Sequence, residues 1–248
     1  MPKIFLSPST QQYNLYVNNG NEEYWMNRIA DAMEPYLQAS GIEFVRNDPD
    51  GTVVDSINLS NMARYGMHVA LHSNASPEGM EGLLRGVDVY YRPGDSQNAL
   101  LSQRFANIVV EEMKKIYPLP QRVNARPTNY LAEVLQTYSP AVLIEVAYHD
   151  NLQDAEWIQQ NVEAIARAIV QALCTYFGIP FAEPQPVRQG TVNTGGANLN
   201  MPTTASTIVA VAPNGAQLTI YSQSGDWYAV RYQNATGYVY APYVTVSE

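Results

Sequence analysis

The 248-residue sequence predicts an α/β fold, a twisted and mostly parallel sheet with helices on both faces, plus a small C-terminal all-β barrel. Strand-like apolar runs alternate with amphipathic helical segments through residue 181, which is typical of parallel sheets. After residue 191, short strand-like runs with close turns between them indicate a small barrel. The proline-rich stretch between the two regions shows no periodicity. We therefore predict one domain at residues 1–181, a linker at 182–190 and a second domain at 191–248.

The helices of the first domain are predicted from the spacing of their apolar side chains. One helix starts near Glu22 and runs to about Ala39, and Pro35 should kink or interrupt it. Ser96 can cap another helix, and a long helix follows from Asp154. Residues 118–139 contain prolines and stay unassigned, apart from a possible short element at 131–135. The remaining predicted elements are a helix at 52–65 and strands at 3–6, 42–45, 68–72, 87–91 and around Glu145.

Composition and charge restrict the class of protein. A hydrophobic content of 46% with 15% charged residues is typical of a globular protein. No apolar run reaches the roughly 18 residues that a membrane-spanning helix needs. The net charge of -9 argues against nucleic acid as a partner. Cys174 is the only cysteine, which excludes an intrachain disulfide and a cysteine-based zinc site.

Two polar residues stand where strand-like runs end. His72 follows a run of small and apolar residues and precedes a polar loop, and Glu145 ends a similar run that begins at Pro140. Because ligands of open α/β sheets collect beyond the carboxyl ends of strands, both are candidates for a metal site or for acid-base chemistry. The alternatives are a packed histidine and a buried glutamate that pairs with an Arg or Lys elsewhere in the chain.

These segments resemble the type 3 family of zinc-dependent N-acetylmuramoyl-L-alanine amidases. Family members have a zinc-ligand histidine in a Ser-Ile-His-Ala-Asn-Ala strand end, and residues 70–75 are Ala-Leu-His-Ser-Asn-Ala. They have a catalytic glutamate in a Pro-Ala-Val-Leu-Val-Glu run, similar to residues 140–151 with Glu145 in register. A glutamate that opens the first long helix is their second ligand, and the family spacing selects Glu22 over Glu23.

The resemblance implies a peptidoglycan hydrolase, of the kind that acts as an autolysin or endolysin. It implies cleavage of the amide between N-acetylmuramic acid and the L-alanine of the stem peptide. It also implies a Zn²⁺ cofactor held by Glu22 and His72, with Asn74 as a substrate-binding residue. Zinc with an open position lowers the pKa of a bound water and polarises the scissile carbonyl, and Glu145 would act as general base and acid.

One part of the sequence departs from the family pattern. The family's first zinc ligand is a histidine in an Asp-Pro-Gly-His-Gly-Gly loop, whereas residues 7–10 are Ser-Pro-Ser-Thr, so Thr10 stands in the histidine position. A neutral hydroxyl is a poor zinc ligand. His68 precedes His72 by four residues on the same strand, about 13 Å away, and cannot share its metal. His149 is the predicted substitute, with a plain loop histidine as the alternative.

The C-terminal domain resembles the bacterial SH3-like domains that are appended to wall hydrolases. The similarity covers residues 198–201, 226–228 and 236–239, although Pro202 stands where that family usually has Arg. This part of the chain is nearly neutral and rich in Tyr, Asn and Thr, which suits binding to sugar or peptide. The predicted partner is therefore peptidoglycan. Trp227 belongs either to the barrel core or to a platform on which a sugar stacks.

Several functions stay open at this point. The first is an active zinc amidase with a rearranged site. The second is a wall-binding protein whose amidase-like domain recognises muropeptide without metal, and the third is another metallohydrolase that acts on a different amide. Zinc content distinguishes the first two. The predicted location is the cell wall or the extracellular space, and because the first residues show no secretion signal, we expect another export route or a trimmed signal.

Overall fold

A computed structural model of the chain describes residues 2–184, 188–202, 208–233 and 235–247. The chain forms two compact units. The larger unit comprises residues 2–37 and 42–181, and the smaller one comprises residues 38–41 together with the chain from residue 182 onward. Within the described ranges, no helix combines the length and the apolar character that crossing a membrane requires.

The larger unit contains a six-stranded sheet with the strand order β2-β1-β3-β6-β4-β5. Every neighbouring pair is parallel except β4 and β6, which are antiparallel. The predicted mostly parallel sheet is therefore confirmed. Its strands are β1 (Lys3–Pro8), β2 (Glu43–Arg46), β3 (Met67–Asn74), β4 (Val87–Tyr91), β5 (Val123–Pro127) and β6 (Ala141–Tyr148).

Six α-helices accompany this sheet in the described part of the unit. The first helix continues through Pro35 and is not interrupted there. The prediction of one long helix from Asp154 is wrong, because Asn161 leaves the helical conformation at φ -123° and ψ 21° and separates two helices. Ser96 caps its helix as predicted, by accepting a hydrogen bond from the backbone N–H of Ala99. The helices are α1 (Glu22–Ala39), α2 (Val53–Asn61), α3 (Gln97–Lys114), α4 (Ala132–Leu135), α5 (Leu152–Gln160) and α6 (Val162–Phe177).

Alternate residues of each strand point to opposite faces of the sheet. Val69 and Leu71 of β3 belong to a large apolar core that also contains buried residues of α1, α3, α5 and α6. Ala70, between them, belongs to a smaller cluster with Val134 of α4 and Leu143 of β6. Helices therefore cover both faces, as predicted. Each fully buried Leu or Val of the large core contributes about 1.5–3 kcal/mol to folding.

The smaller unit is all β, as predicted, and its strands pair antiparallel. Five of them form a sheet in the order β12-β11-β10-β7-β13, and β8 pairs with β9. The first strand begins at Arg188, inside the segment predicted as a linker, of which residues 185–187 lie outside the described ranges. The strands are β7 (Arg188–Val192), β8 (Leu199–Pro202), β9 (Ile208–Ala212), β10 (Gln217–Ser224), β11 (Trp227–Tyr232), β12 (Ala235–Tyr240) and β13 (Val244–Val246).

The core of the smaller unit consists of apolar side chains from most of its strands. Tyr228 belongs to this core, whereas Trp227 is 44% exposed and packs edge-on against Tyr240. The indole is therefore a surface group, which leaves a stacking role open to it. The fully buried residues of the core are Met201, Ala212, Leu218, Ile220, Val230 and Val239.

Candidate active site

The two strand-end candidates lie side by side. β3 and β6 are parallel neighbours, and their register places His72 opposite Glu145. On the other side of β6, Asp88 of β4 is opposite Glu145. Because Leu71 and Ile144 belong to the large core, the residues after them in each strand face the other side of the sheet, where α4 lies. Both candidates therefore share the face that carries the smaller apolar cluster.

Glu22 meets His72 in this region. Glu22 is the first residue of α1 and is buried, and its Oε1 lies 2.8 Å from Nδ1 of His72. Its Oε2 accepts a hydrogen bond of 2.6 Å from Nδ2 of Asn14. Burial raises the pKa of Glu22, but the hydrogen bond and the charge of His72 and the bond from Asn14 outweigh it, so that the pKa is lowered. The carboxylate therefore contacts the site directly, beyond the favourable position of an acid at a helix start.

A third carboxylate, Glu133, belongs to the site and was not predicted from the sequence. Its Oε2 lies 3.0 Å from Nε2 of His72, and its Oε1 lies 3.2 Å from Nε2 of His68 and accepts a hydrogen bond of 2.6 Å from the Ser7 hydroxyl. Burial raises the pKa of Glu133, but the bonds to the two histidines and their charges outweigh it and lower the pKa. The sequence signal was an acid inside the apolar run of residues 131–135.

His72 thus has a carboxylate at each ring nitrogen. Burial lowers the pKa of His72, but the hydrogen bonds and charges of Glu133 and Glu22 outweigh it and raise the pKa well above its ordinary value. His68 has a different environment, with its ring stacked on Phe5 and its Nδ1 at 2.9 Å from the Ser60 hydroxyl. It is a packed histidine that reaches the site only through Glu133.

Unlike Glu22 and Glu133, Glu145 has surroundings that disfavour its charged form. Its Oε2 is buried and has no hydrogen-bond partner among the described residues. Burial raises the pKa of Glu145 to about 7, an effect that the charge of His72 reduces and the charges of Glu22 and Asp88 increase. In the ranges that the structure covers, no Lys or Arg forms an ion pair with it. A group with this pKa can both accept and return a proton near neutral pH.

Gln11, in the loop after β1, lies next to Glu22 and His72. Its Nε2 is 3.1 Å from His72 Nδ1 and 3.4 Å from Glu22 Oε1. Its Oε1 accepts hydrogen bonds of 3.1 Å from Tyr13 and from Asn14. The sequence comparison placed Thr10 in the position of the missing loop histidine, but the side chain that contacts Glu22 and His72 is the next one, Gln11. Gln11, His72, Glu133 and Glu145 line one cleft of about 390 Å³, together with Thr10.

His149 contacts Ser73 and Tyr16 rather than the other predicted zinc ligands. Its Nδ1 is 2.9 Å from the backbone carbonyl of Ser73 and 3.0 Å from the Ser73 hydroxyl, and its ring stacks on Tyr16. Among the residues with described positions, no group of three or more His, Cys, Asp or Glu side chains is arranged to hold a metal ion. His149 therefore does not complete a ligand set with Glu22 and His72. Asn74 ends β3, where its side chain accepts a hydrogen bond from the next backbone N–H, and its role in substrate binding stays a prediction.

Two models of protein families match the chain. The model described as N-acetylmuramoyl-L-alanine amidase matches residues 11–175, and the model described as bacterial SH3 domain matches residues 201–245. The first match contains Gln11, Glu22, His72, Glu133 and Glu145. No curated protein matches the chain.

Solved structures of amidases share the fold of the larger unit. The N-acetylmuramoyl-L-alanine amidase from Clostridium difficile 630 is 20% identical with a TM-score of 0.60, and the match covers 71% of this chain and 97% of that one. The catalytic domain of CwlV, an amidase from Bacillus (Paenibacillus) polymyxa, is 19% identical with a TM-score of 0.60, covering 73% and 100%. The catalytic domain of the CD27L endolysin is 18% identical with a TM-score of 0.56, covering 71% and 98%.

Proposed function

Because the chain belongs to the N-acetylmuramoyl-L-alanine amidase family of peptidoglycan amidases, we propose that it cleaves the muramoyl–alanine amide with a zinc ion held by Glu22 and His72. The main support for this proposal is that three side chains that are far apart in sequence lie next to one another. Glu22 and His72 are in contact, and Glu145 is the cross-strand neighbour of His72. A cleft of about 390 Å³ adjoins them.

The charges of the site fit a bound cation. Glu22 and Glu133 are buried acids in contact with His72, and Glu145 is its cross-strand neighbour with a buried Oε2; among the described residues, no Lys or Arg pairs with any of the three. Buried negative charge is costly unless it is compensated. A divalent ion between Glu22 and His72 would supply that compensation.

The donor atoms also suit zinc. Imidazole nitrogen and carboxylate oxygen are common zinc ligands. A metal-bound histidine usually donates its second ring N–H to a carboxylate, and Glu133 is in that position at Nε2 of His72. This leaves Nδ1 of His72, next to Glu22 Oε1, as the nitrogen for the metal. Since the pKa of His72 is raised, its Nδ1 carries a proton that would have to leave before this nitrogen could hold a metal, and zinc binding should be accompanied by proton release.

The catalytic role falls to Glu145. When bound, zinc supplies polarisation of the scissile carbonyl and a lowered pKa for water. Glu145 is positioned to take the proton of the attacking water, since its Oε2 has no other partner in the described part of the chain and its pKa is raised to about 7. It can then return the proton to the leaving amine of L-alanine.

The smaller unit supports a role at the cell wall. Its match to a bacterial SH3 domain and its exposed Trp227 favour binding to peptidoglycan. We infer that this unit holds the enzyme on its polymeric substrate, in the cell wall or outside the cell.

A second function is favoured by one specific observation. The described residues provide no conventional set of three His, Cys, Asp or Glu ligands. A wall-binding protein that has lost its metal would be consistent with this. Metal content separates the two candidates, because only the enzyme retains about one zinc per chain at micromolar concentration.

The proposal is tested on purified muropeptides that carry the stem peptide. We expect the zinc-loaded chain to release stem peptides with a free L-alanine amine, and the chelator-treated chain to release none. Glu145→Gln should bind zinc but release at least 100-fold less peptide, since general acid-base catalysis contributes roughly 10²–10⁴-fold. Glu111→Gln, which alters an exposed ion pair with Lys114, is the matched control and should leave release unchanged. Intact substrate with one zinc bound would refute the amidase proposal.

A further inference from the structure

We propose that the side-chain amide of Gln11 is the third protein ligand of the metal site, in place of the histidine that the family has in this loop. This inference rests on the proposed zinc-dependent function and deepens it. It names the residue that compensates for Thr10 and explains how two conventional ligands could hold an ion.

The ends of the three side chains have the spacing of metal ligands. Nδ1 of His72 and Oε1 of Glu22 are 2.8 Å apart, and Nε2 of Gln11 is 3.1 Å from the former and 3.4 Å from the latter. Two ligands at normal bond length from a tetrahedral zinc ion are about 3.3 Å apart. The end of the Gln11 side chain therefore forms, with the other two atoms, a triangle of the size of one face of a zinc tetrahedron.

The side-chain amide of Gln11 has an oxygen that can bind a metal. The oxygen of a glutamine amide is the ligating atom, and a half-turn about the last side-chain bond exchanges oxygen and nitrogen without moving the rest of the residue. In the absence of metal, the Nε2 group is suited to this place because it can donate to Glu22. With a cation bound, the oxygen becomes the favourable atom because it offers a lone pair.

The half-turn has a local cost. Oε1 of Gln11 accepts from Tyr13 and from Asn14, and Asn14 also donates to Glu22. The Tyr13 hydroxyl can accept as well as donate, but the Asn14 amide has to turn. We therefore expect zinc binding that is weaker than at a site with two histidines and one glutamate.

Other candidates for the third ligand are already engaged. His149 bonds to Ser73 and stacks on Tyr16, and His68 lies between Ser60 and Glu133. Within the described residues, no third His, Cys, Asp or Glu joins Glu22 and His72 in a metal-binding group. The neutral amide of Gln11 contacts both of them through Nε2, and a half-turn would present its oxygen at the same place.

The test measures zinc affinity of the full chain by competition with a chromophoric chelator. We expect Gln11→Ala to bind zinc about 100-fold more weakly than the natural chain, as the loss of even a supporting group costs 10–100-fold. Gln11→His should bind about tenfold more tightly, since it restores imidazole. Gln12→Ala, at the exposed neighbouring position, is the matched control and should leave the affinity unchanged.

A second variant distinguishes the loss of a zinc ligand from the loss of folding. Gln11→Glu has nearly the same shape and offers a carboxylate oxygen, so it should bind zinc at least as tightly as the natural chain. The visible spectrum of the cobalt-loaded protein reports the ligands independently of activity, and it should differ between Gln11→Ala and the natural chain but not between Gln12→Ala and the natural chain.

The outcomes separate this inference from the proposed function. Equal zinc affinity and an unchanged cobalt spectrum for Gln11→Ala would overturn the role of Gln11, whereas an amidase that still needs zinc would leave the proposed function intact. A natural chain that binds no zinc and releases no peptide would overturn both.

Discussion

Oε2 of Glu133 lies 3.0 Å from Nε2 of His72, so a carboxylate from a four-residue helix holds the histidine near the end of β3. The other oxygen of Glu133 faces Nε2 of His68, and the Ser7 hydroxyl donates to it. The buried side chain of Glu133 thus links α4 to β1 and β3 next to the site. Because Glu133 occupies Nε2, the ring of His72 presents Nδ1 to Glu22. The orientation of the metal ligand therefore depends on a residue that does not itself touch the proposed ion.

The first prediction concerns the loss of this carboxylate. Glu133→Gln keeps the shape but removes the charge that lies between His68 and His72. Breaking a buried ion pair on one side costs about 3–5 kcal/mol, so we expect a fall of this size in the free energy of unfolding. Urea unfolding without zinc measures it.

Glu111→Gln provides the comparison, since that acid pairs with Lys114 on the exposed surface of α3. Exposed pairs contribute about 0–1 kcal/mol, so this variant should unfold almost as the natural chain does. If Glu133→Gln were as stable as Glu111→Gln, the carboxylate would not be bonded as the structure has it.

The second prediction concerns pH and Glu145. Its pKa is raised from 4.5 to about 7, so the folded chain binds this proton more tightly than the unfolded chain does. Glu145 contributes about 3 kcal/mol to the free energy of unfolding below pH 4.5, and this contribution is lost as the pH rises to 7. Without zinc, Glu145→Gln should match the natural chain at pH 4.5 and be more stable by up to that amount at pH 8.

His72 changes stability in the same direction, because its pKa is also raised, and its contribution is lost as the pH rises through the folded value. It is present in both chains, so the difference between them reports Glu145 together with its charge interaction with His72. Urea unfolding with chelator at several pH values gives the measurement. A difference that does not vary with pH would show that Glu145 is ionised as easily in the folded chain as in water. A more stable but inactive variant would indicate a residue kept for function.

Glu22, His72 and Glu145 lie in regular elements that the sequence predicted. His72 and Glu145 stand two and three residues before the ends of the buried strands β3 and β6, not at the ends as predicted, and Glu22 starts a helix with a regular apolar stripe, so periodicity identified the element that carries each of them. The topology then brought them together, because β3 and β6 are neighbours although residues 75–140 separate them in the chain.

Glu133 and Gln11 lie in segments where periodicity carries no information. α4 has only four residues and lies in a segment interrupted by prolines, so its acid was marked by nothing more than its place inside the short apolar run of residues 131–135. Gln11 lies in an irregular loop, where the family motif put Thr10 in the histidine position and no pattern pointed to the next side chain. The break at Asn161 was missed for a related reason, since the apolar spacing continues across it and only the backbone angles show where α5 ends.

The third prediction concerns Asp154, a fully buried acid in α5. Its Oδ1 is 2.7 Å from both Arg85 Nε and the Tyr117 hydroxyl, and its Oδ2 accepts from the backbone N–H groups of Gly86 and Tyr148. It thus joins the start of β4 to the end of β6. Asp154→Asn should lower the free energy of unfolding by about 3 kcal/mol, because Arg85 loses its charged partner.

Zinc affinity should stay within about twofold in this variant, because Asp154 contacts none of the proposed ligands. Asp95→Asn, at an exposed position, is the matched control and should change neither quantity. A large loss of zinc affinity in Asp154→Asn would indicate that this junction also positions the metal ligands.

The fourth prediction separates cleavage from attachment. The larger unit has its own core, and the amidase match at residues 11–175 lies within it apart from residues 38–41, so a chain that ends at residue 184 should fold and release stem peptides from soluble muropeptides at the full rate. It keeps Phe181, whose ring stacks on Tyr36 at 5.7 Å. Without the smaller unit, it should sediment with insoluble peptidoglycan at least tenfold less than the full chain. In the full chain, Trp227→Ala tests whether the exposed indole contributes to that binding, and equal sedimentation of the full and shortened chains would contradict a wall-binding role for the smaller unit.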